Sequence, residues 1–359
     1  MIIATILGAR PQFVKAAMLS MEWAKHPGIQ ECIIHTGQHF DDNMSRIFFE
    51  EMNIPKPKYN LNINGLTHAA MTGAMMIEIE KVLLVEKPDW VIVFGDTNST
   101  LAGALVAKKL GIKIAHIEAG LRSFNKEMPE EINRVIVDRI SDLLCCPTSL
   151  ALENLEKEGF NGKDSKVILS GDIMFDALLH FKEMALEKSS ILEDLKLLDK
   201  NFLLATVHRQ ANTEKWKNLK EILEALEEIN KTEKIVLVAH PRTKKLMDAN
   251  NWKPSFRLIE PQGYFSMLRL MDAADLIISD SGGLQKEAYW LKKSCLILRE
   301  ETEWMELVEN GTNFIAGTKR ESILKAHSKI GNQDVRFDLP FYGEGNTAKK
   351  VFEEILRNA

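Results

Sequence analysis

The chain has 359 residues, 45% of them hydrophobic and 27% charged, which supplies real cores and excludes disordered and collagen-like readings. At roughly 150 residues per domain, that length predicts two to three domains. Lys+Arg at 46 against Asp+Glu at 51 leave a net charge of −5, so no basic face points to a nucleic-acid partner. The first candidate strand is 2–7, inside MIIATILGAR; with no basic region ahead of it, this start reads as a strand rather than a signal peptide. Further strands follow at 31–35, 90–94, 113–117, 143–146 and 166–169. A second series falls at 202–207, 235–239, 256–259, 276–278 and 294–298. Helical patterns such as 71–85, 97–110 and 215–229 lie between them. Apolar strands alternating with helices predict an α/β chain with two doubly wound parallel-sheet domains. The first is expected at 1–172 and the second at 173–345. A last helix, 346–358, is expected to pack back on the first domain. No apolar run approaches the roughly 18 residues of a membrane span. Cys32, Cys145, Cys146 and Cys295 form no C-x-x-C pair, so reduced core thiols and a cytoplasmic protein are expected.

Ligands of open parallel sheets bind beyond the carboxyl ends of the strands. The first strand runs into Gly8-Ala9-Arg10-Pro11-Gln12, with Lys15 shortly after, where Arg10 and Lys15 can face an anion at a helix start. No G-x-G-x-x-G follows this strand, which weakens a dinucleotide reading. The strand at 90–94 leads into Gly95-Asp96-Thr97, where Asp96 suits either a helix N-cap or a carboxylate offered to a cleft. His116-Ile117-Glu118-Ala119-Gly120-Leu121-Arg122 ends the next strand, and Pro129 opens a helix whose first turn carries Glu130 and Glu131. Asp96, Glu118 and Glu130 thus come from three neighbouring loops, and clustered carboxylates can supply both an acid and a base. A metal site is the alternative, but Arg10, Lys15 and Arg122 place the cations on the protein itself. In the second half, His208-Arg209-Gln210-Ala211-Asn212 ends a strand, as does His240. In Ser279-Asp280-Ser281-Gly282-Gly283 a strand turns into a helix whose bare amides suit a diphosphate. Glu287, one turn further on, can accept hydrogen bonds from ribose hydroxyls.

The ordered set GARPQ with its lysine, GDTNST, HIEAGLRS, PEEINR, HRQAN, PQGY and SDSGGLQKEA resembles the non-hydrolysing UDP-N-acetylglucosamine 2-epimerase family over essentially the whole chain. The resemblance implies two Rossmann-like domains in a glycosyltransferase-B-like arrangement, usually a homodimer, with the UDP-sugar substrate in the interdomain cleft. No cofactor and no metal is implied. The implied reaction inverts carbon 2 of a UDP-2-acetamido sugar by eliminating UDP to a glycal and adding it back. Asp96, Glu118, Glu130 and His208 match the family's catalytic positions. Arg10, Lys15, Arg209, Gln262, Ser281, Gly282, Gly283 and Glu287 match its substrate-binding positions.

Departures from the pattern narrow the substrate. HRQAN stands where a HRREN-like motif is usual, and Thr302-Glu303-Trp304-Met305-Glu306 where a TERPE-like stretch is usual. Met267 replaces an aromatic residue. GARPQ, PEEINR and ETEWMELVE look closest to the branch acting on UDP-2,3-diacetamido-2,3-dideoxyglucuronate, with UDP-N-acetylglucosamine as the alternative substrate. Gln38-His39-Phe40-Asp41 stands where the family's activator site has a QHRQ-like stretch, which argues against activation by a second UDP-sugar. A glycosyltransferase of the same architecture, a hydrolysing epimerase and a non-catalytic UDP-sugar sensor are the competing readings. The carboxylate trio opposes the first, and retention of all three carboxylates and His208 opposes the last.

Overall fold

The computed structural model describes residues 1–38, 42–160, 162, 164–330 and 335–358, the side chains of 42–46 and 210 excepted. It divides into two compact units, Met1–Leu179 with Pro340–Ala359, and His180–Leu339. The helix Ile173–Lys188 runs through the first division.

In the first unit, β1 (Ile2–Leu7), β2 (Gln30–His35), β3 (Tyr59–Asn60), β4 (Trp90–Phe94), β5 (Lys113–Ile117), β6 (Leu143–Cys146) and β7 (Lys166–Leu169) form one sheet. Their order is β3-β2-β1-β4-β5-β6-β7, and every pairing is parallel. β1 and β4 are buried along most of their length on both faces, which is why they read as unbroken apolar runs. The helices His68–Glu86 and Asn98–Lys109 cover one face with Met75, Ile79, Leu83, Ala102 and Val106 in the core. The helix Thr347–Arg357 docks on the helix Arg10–Trp23, where Phe352 lies 5.6 Å from Trp23 and stacks at 3.9 Å on His26.

The second unit repeats the plan. β8 (Leu203–Val207), β9 (Ile235–Ala239), β10 (Arg257–Ile259), β11 (Leu276–Ser279), β12 (Ser294–Ile297) and β13 (Asn313–Ile315) pair in parallel in the order β10-β9-β8-β11-β12-β13. Leu219, Ile222, Leu226 and Ile229 of the helix Trp216–Asn230 pack on Leu203, Ala205 and Leu237. The fold is therefore two Rossmann-like α/β sheets, each doubly wound. Strand order reverses between β1 and β4 and again between β8 and β11, and crevices for ligands open at such switch points. β3 and β13 were outside the expected strands; two and three residues at a sheet edge are too short to show a period.

The four cysteines are all buried and unbridged, and burial pushes the Cys32 thiol up to about 11. Among the described residues no helix is long and apolar enough to cross a membrane.

Candidate active site

At the first switch point the chain leaves β1 through Gly8 and enters the helix Arg10–Trp23, with Pro11 in its first turn. Gln12 is buried and joins two strand ends. Its Oε1 accepts from the amides of Gly8 (2.7 Å) and Ala9 (3.0 Å). Its Nε2 donates to the Phe94 carbonyl at 2.9 Å and to the hydroxyls of Thr97 and Thr100 at 3.0 Å. Lys15 projects from the same helix and pairs with Glu118, both largely buried. It is thus engaged with a carboxylate rather than solvated.

Asp96 does not cap the following helix; Thr97 does, its hydroxyl accepting from the Thr100 amide. Asp96 instead pairs with buried Arg134, and its carbonyl accepts from Asn133 at 2.8 Å. Glu118 sits just past β5 at φ +71°, a left-handed conformation uncommon outside glycine. A Cβ added at Gly95 would lie 3.1 Å from Glu118 Oε2, so the Asp96 turn and Glu118 are immediate neighbours. The helix Pro129–Ile140 separates two look-alike residues. Glu131 is buried and accepts from Ser123 (2.9 and 3.0 Å), the Phe124 amide (3.0 Å) and Arg134 (3.2 Å), bracing its loop. Glu130 is half-buried and has no ion pair among the described residues.

Beneath this group lies a buried polar chain. His116 reaches Asp138 through Nδ1 at 2.7 Å and the Gly95 carbonyl through Nε2 at 2.7 Å. Arg122, expected among the cations near the carboxylates, is taken up by Asp138 at 2.7 Å and by both oxygens of Glu158. Burial pushes the Asp138 carboxyl up, but His116 and Arg122 outweigh it and hold it below the usual range.

The second switch point brings together His208, Arg209, Ser281, Gly282 and Gly283. Asp280, fully buried, accepts from the amides of His208 (3.0 Å) and Arg209 (2.9 Å) and from Asn212 at 2.9 Å. It holds His208 Nδ1 at 2.9 Å while the ring stays 42% exposed. Burial alone would raise Asp280; the charge and hydrogen bond of His208, with the Arg209 amide and Asn212, bring it down to about 2. Ser281 stands at the N-cap of the helix Gly282–Trp290 without capping it by its side chain. Glu287 is buried on that helix. Gln262 lies in the loop before the helix Tyr264–Ala273 and donates to the Glu260 carbonyl at 2.8 Å. Arg209 reaches within 3.8 Å of Glu303, which is locked to Arg299 at 2.8 and 2.9 Å. Trp304 stacks on buried Lys286, the ammonium 4.0 Å from the ring centre, and its Nε1 lies 3.7 Å from where a Cβ on Gly282 would be. His240, in contrast, caps the helix Pro241–Ala249 by accepting from the Arg242 amide.

Sequence reasoning passed over Gln12, Asp138, Asp280 and Lys286. Each has at least one partner distant in the chain, which the sequence alone does not show. Of the candidate activator stretch, residues 39–41 lie outside the described residues; Gln38 accepts from Ser99 at 2.8 Å. Among the described residues no group of three His, Cys, Asp or Glu side chains is arranged to hold a metal ion.

The profile of the family described as UDP-N-acetylglucosamine 2-epimerase matches residues 21–356. The UDP-2,3-diacetamido-2,3-dideoxy-D-glucuronate 2-epimerase of Pseudomonas aeruginosa is 46% identical over 99% of both chains. A UDP-N-acetylglucosamine 2-epimerase homolog of Methanococcus maripaludis is 48% identical, again over 99% of both. The crystal structure of Methanocaldococcus jannaschii UDP-GlcNAc 2-epimerase in complex with UDP-GlcNAc and UDP superposes with a TM-score of 0.93 at 42% identity, covering 100% of each chain.

Proposed function

Because the chain belongs to the UDP-N-acetylglucosamine 2-epimerase family, we propose that it converts UDP-2,3-diacetamido-2,3-dideoxyglucuronate to its mannuronate isomer for surface polysaccharide synthesis. The chain is a non-hydrolysing UDP-sugar 2-epimerase, an isomerase. The observation that supports the mechanism is that Asp96 and Glu118 stand on neighbouring turns of the first unit, paired with Arg134 and Lys15, while Glu130 lies in the first turn of the helix that carries Arg134. A base takes the proton from carbon 2 while the bond between carbon 1 and the UDP oxygen breaks, leaving a glycal. UDP then adds back at carbon 1 as a proton reaches carbon 2 from the opposite face. Two faces need two proton-handling groups, drawn from the three carboxylates. The departing diphosphate gathers negative charge, which the helix start at Ser281-Gly282-Gly283 in the second unit, with His208 and Arg209 beside it, would stabilise; Arg10 and Lys15 are the cations at the switch point of the first unit. Gln262 and Glu287 would hold the nucleotide.

The substrate assignment is supported by Trp304 and its neighbours, which replace the usual TERPE-like stretch beside Gly282, and by the 46% identity to the Pseudomonas enzyme. Conversion of UDP-N-acetylglucosamine to UDP-N-acetylmannosamine is the second reading, favoured by the TM-score of 0.93 to the Methanocaldococcus enzyme. The buried, unbridged cysteines suit the cytoplasm. Ile77, Leu84 and Val85, exposed on the helix His68–Glu86, offer a face to a second copy in a homodimer.

Incubation with each UDP-sugar in deuterated water tests the reading. Deuterium is expected at carbon 2 of the product. Asp96→Asn, Glu118→Gln and Glu130→Gln should each turn over slowly, with at least one losing about 10²–10⁴-fold, while UDP binding stays nearly intact. A product without solvent deuterium, or full activity in all three variants, overturns the mechanism. Turnover of UDP-N-acetylglucosamine alone moves the substrate to the second reading.

A further inference from the structure

We propose that His116 is the positioning residue that sets Asp96, Glu118 and Glu130 in register, an assignment that rests on the epimerase reading above. The side chains of His116 and Asp138 are wholly buried, so neither touches substrate directly. The ring bridges three segments. It belongs to β5, two residues before Glu118. Its Nε2 meets the carbonyl of Gly95, the residue before Asp96, at 2.7 Å. Its Nδ1 meets Asp138 at 2.7 Å, on the helix whose first turn carries Glu130. A carbonyl oxygen cannot donate. Asp138, as a carboxylate already accepting from Arg122 (2.7 Å) and the Gly120 amide (3.2 Å), cannot donate either. The ring therefore ties the Asp96 turn, at one nitrogen, to the helix that carries Glu130, at the other. Arg122 and Glu158 extend the chain to the helix Ser149–Lys157 and its C-cap, fixing the Asp138 end. Gly95 takes its φ of +61° freely, whereas Glu118, two residues after the ring in the chain, is held at φ +71°, uncommon for a non-glycine residue.

Two substitutions divide the ring's links. Gln extends far enough to donate to the Gly95 carbonyl but cannot also serve Asp138; Asn occupies the Nδ1 position and keeps Asp138 alone. With the UDP-sugar that the wild type turns over, both variants should lose kcat, His116→Asn by about 10²-fold, the size expected for a small misplacement of reacting groups. His116→Gln should retain more kcat than His116→Asn at equal melting temperature. KM and UDP affinity should change little in both. A merely structural role would instead make activity follow melting temperature and give the two variants one rank. A folded His116→Asn protein with wild-type kcat overturns the assignment, as does a loss confined to KM. Should both His116 variants fail to fold, Asp138→Asn carries the same expectation of lowered kcat at unchanged KM, and unchanged kcat there overturns it. A wild type that turns over no UDP-sugar overturns the epimerase reading and this assignment with it, whereas an active wild type with unaffected variants overturns this assignment alone.

Discussion

A half-exposed histidine keeps one ring nitrogen directed outward only when something holds the other, and for His208 that is Asp280, at 2.9 Å. The buried carboxylate gathers so many donors that its pKa falls from 3.8 to about 2. A folded pKa below the unfolded one contributes stability that is present above about pH 4 and lost as pH falls towards 2. For this fully buried group the contribution is on the order of 2 kcal/mol. Acid titration of unfolding should therefore show a steep loss between those limits, and Asp280→Asn should flatten it while lowering stability at neutral pH. An unchanged acid slope in the variant would count against the role. Residues of this kind mark the limit of reading a sequence. Glu130 and Glu131 are chemically identical and adjacent in the chain, and only the fold sends one to brace Ser123 and Phe124 and leaves the other half-open. Asp280 was visible as part of SDSGG, but its partners at His208 and Asn212 lie about seventy residues earlier.

At the level of strands and helices, the ends of β1, β2 and β4 meet around one atom-sized gap. A Cβ on Gly8 would stand 2.1 Å from Thr36 Oγ1 and 2.3 Å from Ser99 Oγ, two buried hydroxyls bonded to each other at 2.8 Å. Neither can retreat without leaving its partner, so Gly8→Ala should destabilise the first unit by about 1–3 kcal/mol, the usual cost of overpacking. Chemical denaturation would show it, and a wild-type midpoint would mean that the strand ends can part to admit a methyl group. The long strands were legible because β1, β4, β8, β9 and β11 carry apolar residues on both faces, a pattern left by helices covering both sides of a sheet. The edge strands Tyr59–Asn60 and Asn313–Ile315 were not, since pairing from one side only imposes little on so few residues. Switch points, by contrast, follow from strand order, and strand order is a tertiary fact; the polar residues after each strand were readable before it was known which strands stood side by side.

Over the whole molecule, Ile77 and Leu84 stand 59% and 57% exposed, two helical turns apart on one face. If they form the homodimer contact, Ile77→Glu with Leu84→Glu should yield a monomer by light scattering at micromolar concentration, with the melting of the first unit largely preserved. A double variant that elutes and scatters like the wild type would place the contact elsewhere. The first unit is also discontinuous, with its seven strands complete by Leu169 and its last helix, Thr347–Arg357, arriving after the whole second unit. On the ribosome, at about 5–20 residues per second, the nascent sheet must therefore wait roughly 10–40 s with Trp23 and its neighbours bare before Phe352 emerges to cover them. The second unit, contiguous in the chain, can mature within that interval. Assembly order is thus written into chain connectivity: the first unit closes only once the second has been made, and the helix Thr347–Arg357 is the clasp that covers Trp23.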